Sequence, residues 1–77
     1  MIRIFADFNY STKLLPLRFK GSFENIRKQN VELREGLHII LHDDMCQAEA
    51  MVENIQGKWW ARVTGEITNV PEGSSSR

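Results

Sequence analysis

A metal site is the first chemistry to consider, because possible ligands are concentrated between positions 38 and 46. This stretch holds both histidines, two aspartates and the single cysteine: His38, His42, Asp43, Asp44 and Cys46. On a strand that rises ~3.3 Å per residue, the two imidazoles would lie ~13 Å apart, too far to share one ion. His42 could approach Asp44 or Cys46 across a turn, but the spacing matches no zinc signature. We therefore expect solvated histidines, a turn and a half-buried thiol, with no metal and no cofactor.

Nucleophilic catalysis has one local candidate pair, Cys46 with His42, and nothing in the sequence marks either residue as activated. The chain has no G-x-S-x-G elbow, no glycine-rich phosphate loop and no dinucleotide fingerprint. A chain of 77 residues also has little interior in which to shelter a reaction from water. We expect no enzymatic activity. A metal-dependent activity at His42, Asp44 and Cys46 is the most distant alternative.

The segment KWWAR, from Lys58 to Arg62, places two adjacent tryptophans between cations. Strand alternation predicts that Trp59 faces the core together with Ala61. Trp60 would then point outward between Lys58 and Arg62. An exposed tryptophan flanked by cations could stack on a base, an aromatic side chain or a proline of a partner. The alternative is that Trp60 packs under the helix, the C-terminal tail or a second subunit.

The charges sum to zero but are unevenly distributed along the chain. Residues 1–30 carry six cations against two acids, a net charge of +4, and residues 31–57 carry one cation against six acids, a net charge of −5. This pattern predicts a basic face that could meet an anion and an acidic hairpin that would repel one. Alternatively the two halves pair across the sheet, which serves solubility more than stability. Complementary poles would also favour head-to-tail or swapped self-association.

The residues predicted to bind a partner combine the tryptophan segment with the basic face. They are Trp60, Arg62, Lys58, Arg18, Lys20, Arg27 and Lys28.

Length and composition limit the class of protein. Seventy-seven residues allow one domain, and a composition of 42% hydrophobic and 26% charged residues argues against disorder. Zero net charge argues against a strong, non-specific binder of polyanions. The single cysteine excludes an internal disulfide framework and is compatible with a reducing cytosol. Since no apolar run approaches ~18 residues and the start MIRIFADF is unlike a signal peptide, we expect a cytoplasmic protein without a membrane span.

Alternation of apolar residues predicts five strands. They cover residues 1–8, 15–20, 37–42, 47–55 and 58–64. Pro16 lacks an N–H and should lie at a sheet edge or at the start of its strand. Ile67 and Val70 could add a short closing piece. Short strands joined by tight turns predict a small five-stranded antiparallel barrel of the SH3-like type, with an OB-type barrel as second choice. The barrel would be one domain over residues 1–70, followed by residues 71–77 as a flexible tail or a cloning remnant.

One short helix is predicted between the second and third strands, over residues 23–29. Ser22 is its expected N-cap, and basic residues fall in its last turn, as the helix dipole favours. A helix of this length is not stable alone, so we expect it to dock Phe23 and Ile26 on the sheet.

The chain resembles a group of small uncharacterised bacterial proteins in three features. These are the opening IFADFN at residues 4–9, the turn LREG at residues 33–36 with the apolar strand after it that ends at Asp43, and the late strand with Trp59 and Trp60. The resemblance implies a bacterial protein and brings no activity with it. An L-x-x-G turn before an apolar strand is also common in SH3-like barrels of translation and transcription factors, which is an analogy of architecture alone.

These features together predict a non-enzymatic interaction module, a small barrel that binds a protein partner or a second copy of itself. Trp60 is the first residue of the predicted site to test. The alternative is a nucleic-acid-binding barrel in which Trp60 or Tyr10 stacks on bases, with binding that falls steeply as salt rises. Its phosphate contacts would come from the basic face, Arg18, Lys20, Arg27 and Lys28.

Overall fold

The computed structural model describes residues 2–70, and the predicted tail, residues 71–77, lies outside the described residues. The fold is mainly β with one short helix. In chain order the elements are β1 (Arg3–Phe5), β2 (Leu14–Pro16), α1 (Lys20–Lys28), β3 (His38–His42), β4 (Cys46–Ile55), β5 (Lys58–Val63) and β6 (Thr68–Asn69).

The strands form one sheet that curls into a half-barrel. Its order is β1-β3-β4-β5-β2, and β6 pairs with the first residues of β4. Strand β4 is ten residues long, so it pairs with β3 along its first part and with β5 along its second. Strand β2 ends the sheet, as the missing N–H of Pro16 requires.

The sheet corrects the predicted five-stranded antiparallel barrel in two respects. Strand β1 runs parallel to β3, with Arg3 opposite Ile40 and Phe5 opposite His42. Within residues 2–70, β1 and β2 are the two ends of the sheet and form no ladder with each other. Both differences have one cause: the chain leaves β1, passes through β2 at the far end of the sheet and returns through α1, a crossover that lets β3 run in the direction of β1.

The predicted strands of the second half lie close to the observed bounds of β3, β4 and β5. The first predicted strand, residues 1–8, is shorter, because the chain leaves the ladder after the Ala6 N–H donates to the His42 carbonyl. The second predicted strand, residues 15–20, is also shorter, because β2 ends at Pro16 and Lys20 already belongs to the helix. Strand β6 falls where the closing piece between Ile67 and Val70 is predicted.

The core occupies the inner face of the curled sheet. Its members are apolar residues that mostly alternate along the strands and the segments that continue them: Ile4, Ala6, Phe8, Leu15, Leu17, Ile39, Leu41, Ala48, Ala50, Val52 and Ala61. Because successive side chains of a strand point to opposite faces, the residues between them form the outer face. Trp60 and Arg62 belong to that outer face.

Helix α1 begins three residues earlier than predicted, so Ser22 is not its N-cap. The N-cap is Phe19, which makes no side-chain cap hydrogen bond. Ser22 lies inside the helix, fully buried, and its hydroxyl donates to the Phe5 carbonyl. Gly21 permits this contact, because a Cβ at that position would lie 2.9 Å from ring atoms of Phe5. The helix therefore packs its backbone closely against β1.

Polar side chains of the helix cover the outer edge of β1. Ser22, Asn25 and Gln29 share one helix face. The Phe5 N–H donates to Asn25 Oδ1 at 2.7 Å. The Gln29 amide accepts from the Arg3 N–H at 3.1 Å and donates to the Arg3 carbonyl at 2.6 Å. The helix thus supplies the hydrogen-bond partners that a further strand would supply, and this edge of the sheet is closed.

Candidate functional site

An apolar cleft of about 380 Å³ opens between helix α1, the segment that follows it and strand β5. Its walls are the aliphatic and aromatic side chains of Leu17, Phe23, Ile26, Leu33 and Trp59. Most of these side chains also contact the hydrophobic core, so the floor of the cleft is continuous with the interior. We refer to this surface as the cleft.

The two strands at this end of the sheet fix one wall of the cleft. Trp59 is on the inner face of β5, partly buried against the core. The Leu17 N–H donates to the Trp59 carbonyl at 3.1 Å, which extends the pairing of β2 with β5 by one residue. Leu17 and Trp59 are therefore held side by side by backbone hydrogen bonds.

The helix wall departs from the sequence-based expectation that Phe23 and Ile26 both dock on the sheet. Ile26 packs against the core, whereas Phe23 is 57% exposed and borders the cleft. The reason is the rotation of the helix: Ser22 points to β1, and the next residue is turned ~100° away from it. The edge contacts of Ser22, Asn25 and Gln29 thus leave Phe23 at the side of the helix.

Four of the predicted binding residues surround the cleft. Arg18 and Lys58 line it directly. Lys20 and Arg27 are exposed and lie three residues before and four residues after Phe23, so they flank its ring on the helix surface. We call Arg18, Lys20, Arg27 and Lys58 the basic rim. Lys28, five residues after Phe23, falls on another side of the helix.

Trp60 lies on the outer face of β5, opposite Glu53 on β4 and Pro16 on β2, and is partly buried. The guanidinium carbon of Arg18 is 5.7 Å from its ring centroid, a cation–π contact. This contact occupies part of the ring that is predicted to stack on a partner. The binding role of Trp60 stays a prediction.

Arg62 is paired with Glu53, a geometry that the sequence did not suggest. Its Nε donates to Glu53 Oε2 at 2.6 Å and its second guanidinium nitrogen donates to Oε1 at 3.1 Å. The hydrogen bond lowers the pKa of the Glu53 carboxyl and raises the pKa of the Arg62 guanidinium. Within residues 2–70 this is the only ion pair. Of the predicted cations, Arg62 is thus the one engaged by a carboxylate there.

The candidate metal ligands are not brought together. Within the described part of the chain, no group of three or more His, Cys, Asp or Glu side chains could hold an ion. Asp43 instead organises the turn between β3 and β4, where its Oδ1 accepts from the N–H groups of Met45 at 2.8 Å and Cys46 at 2.7 Å. The carboxylate therefore has a local structural role.

His42 is partly buried beside the Phe5 ring, with the ring centroids 6.2 Å apart and the planes nearly perpendicular. Burial lowers the pKa of His42, and the charge of Arg3 lowers it further, while Asp43 and Asp44 oppose the shift. The surroundings of the imidazole therefore favour its neutral form over its charged form.

The turn between β3 and β4 carries a feature that sequence reasoning missed. Met45 is 73% exposed, the highest value among the large hydrophobic residues of the described chain. Asp7, Asp43 and Asp44 line the same surface depression as Met45. The signal in the sequence was an apolar residue, Met45, directly after the two aspartates of a turn. We call Asp7, Asp43, Asp44 and Met45 the acidic tip.

Comparison with models of protein families, with curated proteins and with solved structures finds no match for this chain. Among the described residues, no helix is long and apolar enough to cross a membrane. The function must therefore be inferred from the surface of the molecule itself, where the cleft, its basic rim and the acidic tip are the distinctive features.

Proposed function

We propose that this chain is a non-enzymatic interaction module that binds a protein partner, or a second copy of itself, through the cleft. The observation that carries the proposal is Phe23, which is 57% exposed beside partly buried Trp59. The Phe23 ring is not among the side chains packed against the core. Its exposure to water is unfavourable, so burial against a partner would stabilise the complex. Aromatic side chains at concave apolar surfaces are the usual anchors of protein interfaces.

The size and charge of the cleft define the partner's contact segment. A volume of about 380 Å³ is at the small end of the range for ligand sites and suits one or two side chains. The walls are apolar, so the inserted group is apolar. Arg18 and Lys58 line the same surface, so carboxylates beside that group are favoured and speed the encounter. The partner segment is therefore an apolar side chain flanked by acids.

Three expectations from the sequence are not part of this proposal and stay predictions. They are the SH3-like classification of the half-barrel, the relationship to small bacterial proteins and the cytoplasmic location. The nucleic-acid alternative also stays a prediction. Arg18, one of its phosphate contacts, stacks on Trp60, one of its stacking residues, and the cleft walls next to Arg18 are largely apolar rather than polar.

A capture experiment with matched variants tests the proposal. The purified chain is immobilised and incubated with lysate of the organism that encodes it, and the bound proteins are quantified. Phe23→Ser should reduce specific capture at least about tenfold, the loss expected when a buried apolar anchor is removed. Tyr10→Ser is the control, because Tyr10 is equally exposed, at 58%, and does not line the cleft. Tyr10→Ser should capture like wild type.

Trp60→Ala decides between the cleft and the outer sheet face. If the cleft is the site, Trp60→Ala weakens capture less than Phe23→Ser does. If Trp60→Ala abolishes capture while Phe23→Ser retains it, the cleft is not the binding surface. Circular dichroism of each variant checks that the fold is intact.

A further inference from the structure

The acidic tip has the chemistry that the cleft selects. Met45 is an apolar side chain, 73% exposed, and Asp43 and Asp44 immediately precede it. Asp43 holds the turn by accepting from the Met45 and Cys46 N–H groups, so the tip is a preformed rather than a flexible segment. A preformed segment loses little conformational entropy when it binds.

The cleft has the complementary chemistry. Its aromatic walls, Phe23 and Trp59, suit a thioether, because sulfur makes favourable contacts with aromatic rings. The basic rim brings four cations to the same surface that would face three carboxylates of the tip. The apolar chemistry and the charge of the two surfaces are therefore both complementary.

The two surfaces lie at opposite ends of the molecule. The tip precedes Cys46 at the start of β4, and the cleft lies beside Lys58, just after the end of β4 at Ile55. A strand of ten residues spans about 30 Å, and the longest dimension of the molecule is 37 Å. One copy cannot place its own Met45 in its own cleft, so the contact must join two copies.

We propose that the cleft of one copy binds Met45 of a second copy, with the tip carboxylates against the basic rim, so that the chain associates head to tail. This inference rests on the proposed function of the cleft and names its occupant. The two contacting surfaces differ, so the interface is heterologous, and each dimer keeps one free tip and one free cleft. Association therefore continues beyond the dimer, into rings or open chains.

Sedimentation velocity over a concentration series tests the inference. For the wild-type chain the mean mass should rise with concentration from the monomer value of 8.9 kDa to beyond the dimer. Met45→Ser removes the anchor, and Phe23→Ser damages the cleft. Each variant alone should associate at least about tenfold more weakly. Tyr10→Ser should associate like wild type.

Mixing the two variants identifies the head-to-tail geometry. Met45→Ser keeps an intact cleft, and Phe23→Ser keeps an intact tip. Their equimolar mixture therefore contains one functional interface per pair and should form a dimer that does not grow further. A mixture that stays monomeric, or a Met45→Ser chain that associates like wild type, would overturn the inference.

Removing a charge from the tip tests the inference independently. Asp44→Asn should weaken association about two- to fivefold, the effect of one exposed charge pair, and should reduce its dependence on salt. Wild-type association should weaken as salt is added. Association that is unchanged by both salt and Asp44→Asn contradicts the pairing of tip and rim.

The outcomes separate this inference from the proposed function. If the wild-type chain stays monomeric up to about 1 mM while Phe23→Ser still abolishes capture of a foreign partner, self-association is excluded and the cleft remains a binding site. If the chain is monomeric and Phe23→Ser captures like wild type, both proposals fail.

Discussion

The two sides of helix α1 differ in how far their side chains find contact partners within the chain. On the side facing β1, Ser22, Asn25 and Gln29 exchange hydrogen bonds with the strand backbone, and within residues 2–70 no buried side-chain polar atom lacks a partner. On the side facing the cleft, Phe23 is largely exposed and borders an apolar surface. The side that holds the fold together has its polar groups paired within the chain, whereas the side that we propose as a binding surface leaves apolar area exposed.

This comparison predicts opposite consequences of substitution on the two sides. Changes on the side of β1 should lower the free energy of unfolding, because they leave steric strain or an unpaired backbone group. Changes on the cleft side should alter association and leave the free energy of unfolding nearly unchanged.

Gly21→Ala should give the largest loss of stability. Alanine is normally ~0.5–1 kcal/mol better than glycine inside a helix. Here the added Cβ meets Phe5 ring atoms at 2.9 Å, and this overlap outweighs the gain, so the net loss should be about 2–3 kcal/mol. Urea unfolding measures the change. Glu24→Ala, at an exposed helix position, should change the free energy by less than about 0.5 kcal/mol. A Gly21→Ala chain more stable than wild type would show that the helix does not approach β1 so closely.

Asn25→Ala should come next, with a loss of about 1–2 kcal/mol. The substitution removes the acceptor of the Phe5 N–H and reopens the edge of β1. Amide hydrogen exchange at Phe5 should accelerate together with the loss in stability. Arg27→Ala, two residues along the same helix, is the matched control and should do neither. Unchanged exchange at Phe5 would contradict the assignment of the helix as the cover of this edge.

Phe23→Ser should show the opposite signature, with a change below about 0.5 kcal/mol in the free energy of unfolding and a strong loss of association. Urea unfolding and sedimentation on the same sample provide both values. A destabilisation as large as that of Asn25→Ala would place Phe23 among the residues that hold the fold, and the contrast between the two helix sides would disappear.

The smallest expected effect is a pH dependence from His42, beside Phe5. Its pKa is lowered in the folded chain from the ordinary value of 6.5, so the unfolded chain binds the proton more readily. Stability should therefore fall as the pH drops below 6.5 and level off below the folded pKa. The slope stays well under the limit of ~1.4 kcal/mol per pH unit for one proton. Thermal unfolding at several pH values measures the effect, and the His42→Gln chain should lose less stability than wild type as the pH falls below 6.5. An identical pH dependence in the two chains would contradict a lowered pKa of His42.

The strands can be predicted because the alternation of apolar and polar residues is a property of each local segment. The alternation of apolar residues predicts β3, β4 and β5 and places Trp59 on the inner face and Trp60 on the outer face, as observed. It could not reveal that β1 pairs in parallel, because pairing depends on the path of the intervening chain. The predicted closing piece between Ile67 and Val70 coincides with β6.

The site was less predictable because it depends on the rotation of one helix. The sequence predicts Ser22 as the N-cap and Phe23 with Ile26 as the docking face, and it gives no signal that Asn25 and Gln29 contact β1. The edge of β1 has backbone groups that need partners, and that need is visible only once the sheet is assembled. Because Ser22, Asn25 and Gln29 supply those partners, the helix is oriented with Phe23 toward the cleft.

The central claim, that the cleft of one copy binds Met45 of another, is tested most directly by the two indole N–H signals in a ¹⁵N NMR spectrum. Single Trp59→Phe and Trp60→Phe variants assign the signals, and the wild-type spectrum is followed through a dilution series. Because Trp59 lines the cleft and Trp60 lies on the outer face, the Trp59 signal should shift with concentration much more than the Trp60 signal, and Met45→Ser should abolish the shift. A larger shift of the Trp60 signal, or no shift of either, would contradict the claim.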